Sequence, residues 1–281
     1  MWPLCVFVNK LLNLEEVAQN SSDCSLSGSC SLKFSSTDEI EHDVMLPRVH
    51  FIEVPHVNQL SNWDCGLACV LMVLQTIGIN NCSLHTLEKL CGTRSSIWTV
   101  DLAYLLQKFS VIFSFFTVTI GANPNFSVES FYKDQLPHDL VRVDMLFQRA
   151  IEAGIRIECR SFSLKEVSLL ILSGRYVAIA LVDQCKLTQS WPEDYHVSDF
   201  CGSNLAYTGH YVVICGYDAD KDEFGIRDPA SSRKYQKISS KHLDEARKSF
   251  GTDEDLLLIS LHQRYNKEAF PLISNHVNED P

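Results

Sequence analysis

Ten successive residues, Cys65-Gly-Leu-Ala-Cys-Val-Leu-Met-Val-Leu74, carry no charge and present almost no polar face. A helix that is apolar nearly all round has no side to give to water, so it must sit in a core with other elements packed around it. The chain therefore has to build a globular domain large enough to enclose that helix. With 281 residues, 46% of them hydrophobic, it has the material for one large domain. Upstream, Val54-Pro-His-Val-Asn-Gln59 reads as a short extended segment, because a residue before proline is biased to β or polyproline geometry. Cys65 thus falls at the first turn of a buried helix.

That position has chemical consequences. Unpaired N–H groups and the positive end of the helix dipole stabilise an anion there, which makes Cys65 a candidate thiolate. Asp64 is placed to cap the helix, with a charge that partly opposes the thiolate. Gly66 permits close approach of a substrate or a neighbouring backbone. Gln59, six residues before the cysteine, is a candidate donor to an oxyanion. The competing reading makes Cys65 and Cys69 small core hydrophobes, a common fate of intracellular cysteine.

The formal net charge of −11 argues against nucleic acid as the main partner, since phosphate binding needs a concentrated basic face. Eleven cysteines are scattered without recurring CxxC pairs, so neither a zinc site nor a disulfide framework is expected. A reducing compartment fits that usage. The opening Met-Trp-Pro-Leu-Cys-Val-Phe-Val lacks a basic segment, and no later stretch reaches membrane-spanning length. A soluble cytoplasmic or nuclear protein is expected. Residues 1–45 read as an extension containing a Ser-, Asp- and Asn-rich linker, 46–262 as the folded domain and 263–281 as a flexible tail.

Within the domain, strands are expected near Leu46–Val54, Val111–Ile120, Ile155–Phe162, Tyr176–Val182 and Leu256–Leu261. Helices are expected from Ser83, over 96–109 with Thr99 as cap, over 128–132 and 139–153, and from the capping box Ser163-Leu-Lys-Glu166. Residues 184–209, holding Cys185, His196 and Cys201, read as a long polar connection, either a substrate-facing loop or a disordered one.

Two further runs complete a possible site. Gly209-His210-Tyr-Val-Val-Ile is a strand beginning with histidine, and Phe224-Gly-Ile-Arg-Asp228-Pro229 is a strand ending with aspartate. The turn residues Asp218 to Asp222 lie midway between them. An antiparallel hairpin brings His210 and Asp228 together at one end. A carboxylate on one imidazole nitrogen fixes its tautomer and leaves the other to accept a thiol proton. Either residue alone reads as ordinary turn chemistry, whereas both together with Cys65 point to an active site.

The segments Gln59…Asp64-Cys65-Gly66, Gly209-His210-Tyr-Val-Val and Asp228-Pro229-Ala resemble the papain-like bacteriocin-processing peptidase domains. That resemblance implies an α+β papain-like fold, with a central helix on an antiparallel sheet. It also implies Cys65 as nucleophile, His210 as base, Asp228 as its orienter and Gln59 as oxyanion donor. A wider resemblance spans Met1-Trp-Pro-Leu-Cys, Trp63-Asp-Cys-Gly-Leu-Ala-Cys, Ser96-Ile-Trp-Thr-Val-Asp-Leu-Ala-Tyr, Gly209-His-Tyr-Val-Val-Ile and Phe250-Gly-Thr-Asp-Glu-Asp-Leu-Leu. By these the chain is similar to the plant soluble guanylyl cyclase family. That similarity implies conversion of GTP to cyclic GMP and diphosphate with magnesium.

The two resemblances ask for different sites. Cyclisation needs the triphosphate gripped and the leaving charge neutralised, yet the sequence holds no Walker loop and no GxGxxG after a strand. Asp253, Glu254 and Asp255 are candidate metal ligands, with a solvated turn before a strand as the expected reading. The thiol reading needs no cofactor and takes a peptide or isopeptide. A third reading is a binding module that keeps the scaffold without catalysis.

Overall fold

The computed structural model describes residues 46–93, 96–189 and 207–262; the expected extension and tail, with His196 and Cys201, lie outside them. Eight strands make one sheet: β1 (Val49–Phe51), β2 (Phe113–Thr117), β3 (Ile157–Cys159), β4 (Tyr176–Asp183), β5 (Gly209–Asp218), β6 (Glu223–Arg227), β7 (Gln236–Ser239) and β8 (Leu256–Ser260). Their order is β3-β2-β8-β4-β5-β6-β7. Strand β1 pairs with residues 216–218 of β5, past the point where β4 stops pairing at Ile214.

The continuous apolar run of β4 becomes a strand covered on both faces. Val177, Ile179 and Leu181 enter one core, while Ala178, Ala180 and Val182 enter the other. Strand β8 alternates in the same way, with Leu257 and Ile259 opposite Leu256 and Leu258. The first core is built with α1 (Cys65–Thr76), α2 (Leu84–Cys91), α3 (Thr99–Lys108) and α5 (Leu136–Arg149), the short α4 (Ser130–Lys133) lying between the last two in sequence. The second is covered by α6 (Leu164–Leu172) and α8 (Ser240–Arg247), with α7 (Gln184–Gln189) following β4. All residues of α1 from Cys65 to Leu74 are buried. Each fully buried Leu, Val or Met there contributes about 1.5–3 kcal/mol, which outweighs the indifferent propensity of its β-branched residues.

The α+β expectation holds, but the sheet is mixed rather than wholly antiparallel. Strands β2 and β3 run parallel. A parallel return needs a crossover of a dozen residues or more, which the helical segment between them supplies. Thr99 is not the cap of α3: it is the first helical residue, and the Trp98 N–H donates to Asp101 Oδ2 at 2.9 Å. The predicted box at Ser163 forms, with Ser163 N–H donating to Glu166 Oε2 at 2.9 Å and Glu166 N–H to Ser163 Oγ at 3.3 Å. The expected helix at 128–132 is a 3₁₀ turn, Pro124–Val128, followed by α4. Strand β7 and helix α8 have no counterpart in the sequence reading. A four-residue edge strand with polar Gln236 and Lys237 leaves too little alternation to detect.

Candidate active site

Helix α1 begins at Cys65 itself. Asp64 does not cap it; its carboxylate turns back to accept the N–H groups of Leu60 at 3.1 Å and Ser61 at 3.0 Å. The first-turn N–H groups of α1 are therefore left without a side-chain cap. Gly66 is explained by helix packing, since a Cβ there would stand 3.0 Å from Leu102 and 3.1 Å from the Tyr211 ring. Cys69, one turn on, is buried in the core, and burial followed by the charges of Cys65 and Asp228 raises its pKa well above the usual thiol value. Cys69 is the core hydrophobe.

The β5–β6 hairpin forms in antiparallel register and carries His210 and Asp228 at its open end. His210 Nε2 lies 2.7 Å from Asp228 Oδ1, with both residues 2% exposed. Nε2 is thus occupied, and Nδ1 is the nitrogen left for the thiol. Burial opposes charge on His210, but the Asp228 carboxylate and then the hydrogen-bonded Cys65 outweigh it and lift its pKa to about 10. The Asp228 carboxyl is held below its usual value: burial pushes it up, and the His210 charge and hydrogen bond more than reverse this. The Ala230 N–H donates to the same Oδ1 at 2.8 Å.

The loop before α1 is fastened to the segment after β6. Gln59 N–H donates to the Pro229 carbonyl at 3.0 Å, Asn58 Nδ2 donates to Ser231 at 2.8 Å, and His56 Nε2 lies 3.0 Å from the Asp228 carbonyl. Two stretches about 170 positions apart are held as one unit. The side chain of Gln59 is placed differently from a free oxyanion donor: Nε2 donates to the Ser61 carbonyl at 2.8 Å, and Oε1 is buried without a partner. Any contact with a substrate falls to its second amide hydrogen.

A cavity of about 190 Å³ opens beside the thiol. Cys65, Trp98, Phe131, Tyr132, Tyr211, Asp253 and Asp255 are among the residues lining it. The expectation of a solvated turn at 253–255 is corrected here. Asp255 is 6% exposed and Asp253 partly buried, because Asp253 and Glu254 adopt φ of 49° and 52° and fold the chain inward ahead of β8. Burial raises the Asp253 carboxyl to about 6; burial and then the neighbouring Asp253 raise Asp255 well above the carboxylate range. Tyr211 and Trp98 were also missed. Tyr211 is fixed by a 3.0 Å bond between its hydroxyl and Thr99 Oγ1, and Trp98 by donation from Nε1 to Asp139 Oδ2 at 2.9 Å. The run Thr-Asp-Glu-Asp before an apolar strand was a usable signal, since Asp tolerates positive φ.

A helix bearing a cysteine at its start packs on a sheet whose hairpin supplies histidine and aspartate, the α+β arrangement expected from the sequence. The chain belongs to the guanylyl cyclase family: the family model described as guanylylate cyclase matches residues 54–259. It is 57% identical over 275 residues to the Arabidopsis thaliana protein named Guanylyl cyclase 1, covering 96% of this chain and all of that one. Among solved structures it is similar to a C39-like peptidase from Bacillus anthracis, with 15% identity, TM-score 0.45, and coverage of 75% of this chain and 96% of that one. The peptidase domain of Streptococcus ComA gives 13% identity and TM-score 0.39 over 74% and 98% of the two chains. Xylellain, a cysteine protease from Xylella fastidiosa, gives 14% and 0.40 over 76% and 86%.

Asp253 and Asp255 are the acidic residues that would hold magnesium, being hard oxygen donors on one cavity. Bound there, the ion would neutralise phosphate charge. Among the described residues lining the cavity none is Lys or Arg. No group of three or more His, Cys, Asp or Glu is arranged for a metal among the described residues, and no helix among them is long and apolar enough to cross a membrane. Cys65, Cys69, Cys82, Cys91, Cys159 and Cys215 are free, while Cys185 is disulfide-bonded.

Proposed function

We propose that the chain performs acyl transfer at a thiol, cleaving a peptide or isopeptide bond with no cofactor. The 2.7 Å contact of His210 Nε2 with Asp228 Oδ1 carries the reading, because it leaves Nδ1 for Cys65. An imidazolium held by a buried carboxylate stabilises a thiolate beside it. The thiolate attacks the carbonyl carbon, forming a C–S bond, and the oxyanion is met by N–H groups at the start of α1, with Gln59 as the proposed side-chain donor. Collapse breaks the C–N bond as His210 gives its proton to the leaving amine. Water, deprotonated by His210, then releases the acid and restores the thiol.

A second reading rests on the 57% identity with the Arabidopsis protein named Guanylyl cyclase 1. It makes the chain a cyclase converting GTP to cyclic GMP and diphosphate, with Asp253 and Asp255 holding magnesium. The thiol reading calls for a reducing, cytoplasmic setting, since Cys65 has to stay reduced.

One experiment separates them. Purified wild type, Cys65→Ala and His210→Ala are incubated with GTP and magnesium, cyclic GMP is read by mass spectrometry, and the same preparations are offered peptide and isopeptide libraries. Cleavage lost in both variants, with no cyclic GMP above a heat-killed control, supports the thiol reading. Cyclic GMP made equally by all three, without cleavage by any, overturns it and places a cyclase elsewhere on the chain.

A further inference from the structure

The cavity beside Cys65 combines two features that the thiol chemistry leaves unused. Asp255 is 6% exposed, lines the cavity, and has an Oδ1 that accepts no hydrogen bond. Its neighbour Asp253 lines the same wall. Facing them is an aromatic surround: Trp98 and Tyr132 have ring centroids 5.4 Å apart, and Phe131 meets Tyr132 edge-on at 5.0 Å. Tyr211 lines the cavity together with the two acids and Cys65.

A buried carboxyl oxygen without a partner is costly unless a ligand completes it. Aromatic faces attract organic cations through their quadrupole, whereas a magnesium ion requires an octahedron of oxygen ligands. We propose that the Asp253–Asp255 wall, with Trp98, Tyr132 and Phe131 around it, binds an organic ammonium group of the substrate and sets it beside the Cys65 thiol. This rests on the reading of Cys65 as nucleophile and names the substrate class: a peptide or isopeptide carrying a lysine-like or amino-terminal ammonium next to the bond attacked. Asp255 supplies Oδ1, a buried acceptor that no protein group occupies. Asp253 brings a second carboxyl on the same wall.

Cys65 itself can report the pocket's preference. Methanethiosulfonate reagents of matched length, bearing 2-aminoethyl, ethyl or 2-sulfonatoethyl groups, react by thiolate attack on the sulfenyl sulfur with loss of methanesulfinate. Labelling rates are read peptide by peptide by mass spectrometry on the full chain. The exposed Cys159 gives the baseline due to the protein's overall negative charge. The aminoethyl-to-sulfonatoethyl rate ratio at Cys65 should exceed that at Cys159 by about tenfold or more, and fall to within about twofold of it in Asp253→Asn and in Asp255→Asn. A ratio at Cys65 equal to that at Cys159, or one unmoved by both substitutions, overturns the ammonium site. Loss of the preference on adding millimolar magnesium to wild type also overturns it, assigning the acids to a metal. Slow labelling of Cys65 by the neutral ethyl reagent, with the charge preference intact, sinks the thiol centre and leaves the cation site standing.

Discussion

His210 and Asp228, eighteen positions apart, meet at 2.7 Å at the open end of one hairpin, and both are almost fully enclosed. The contact fixes which imidazole nitrogen faces Cys65. It also makes the histidine a cation in a site that would otherwise favour its neutral form.

Removing the carboxylate should separate orientation from folding. In Asp228→Asn the amide still fills the space, but the charge that holds imidazolium is gone. The rate of Cys65 alkylation at neutral pH should drop by about a hundredfold, with the far-ultraviolet circular dichroism unchanged. An unchanged rate with intact fold would mean that Asp228 does not act through His210.

The raised pKa of His210 makes a prediction about stability. Its folded value of about 10 lies above the unfolded value near 6.5, so the ion pair's contribution is fully present below 6.5 and is lost as pH rises toward 10. The difference in unfolding free energy between wild type and His210→Gln should therefore shrink steadily between those limits. Denaturant titrations at several pH values check this, and a difference that grows with pH would contradict it.

Asp253 should change stability in the same direction with pH, for a different reason. Its carboxyl is raised to about 6 in the fold, mainly by burial, so ionising it costs stability as pH rises from the unfolded value near 4. Asp253→Asn should stabilise the protein at pH 7 by about 1–3 kcal/mol and have little effect at pH 4. Thermal unfolding at the two pH values measures it.

Arg247 is fully buried and donates from Nη2 to the Phe162 carbonyl at 2.6 Å and from Nη1 to the Glu254 carbonyl at 3.3 Å. It thereby anchors the inward turn that carries Asp253 and Asp255. Arg247→Ala should cost about 3–5 kcal/mol, since two carbonyls and the Asp244 and Glu254 carboxylates lose their buried partner. Equilibrium urea unfolding supplies the number.

Gly216 and Gly225 lie against the Phe51 ring, and a Cβ at either would enter it. Gly216→Ala should destabilise the domain by about 1–3 kcal/mol, and adding Phe51→Ala should return most of that loss. Failure of the double variant to recover would put the cost in the β5 backbone instead.

The apolar run after Cys65 settled by itself that a helix would be buried with its cysteine at the start, because no arrangement of those side chains tolerates water on any face. The spacing of His210, the Asp218–Asp222 turn and Asp228 likewise set their meeting, since antiparallel pairing is local and its register follows from the turn. What only the tertiary structure decided is what joins these pieces from a distance. The parallel return of β3, the clamp from Gln59 to Pro229, and the inward fold of Asp253 and Asp255 all depend on segments far apart in sequence. Asp-Glu-Asp before a strand looks like a solvated turn until positive φ at two residues and the buried Arg247 draw it into the core. Charge and hydropathy report a residue's preference, whereas burial against that preference is imposed by the packing of everything around it.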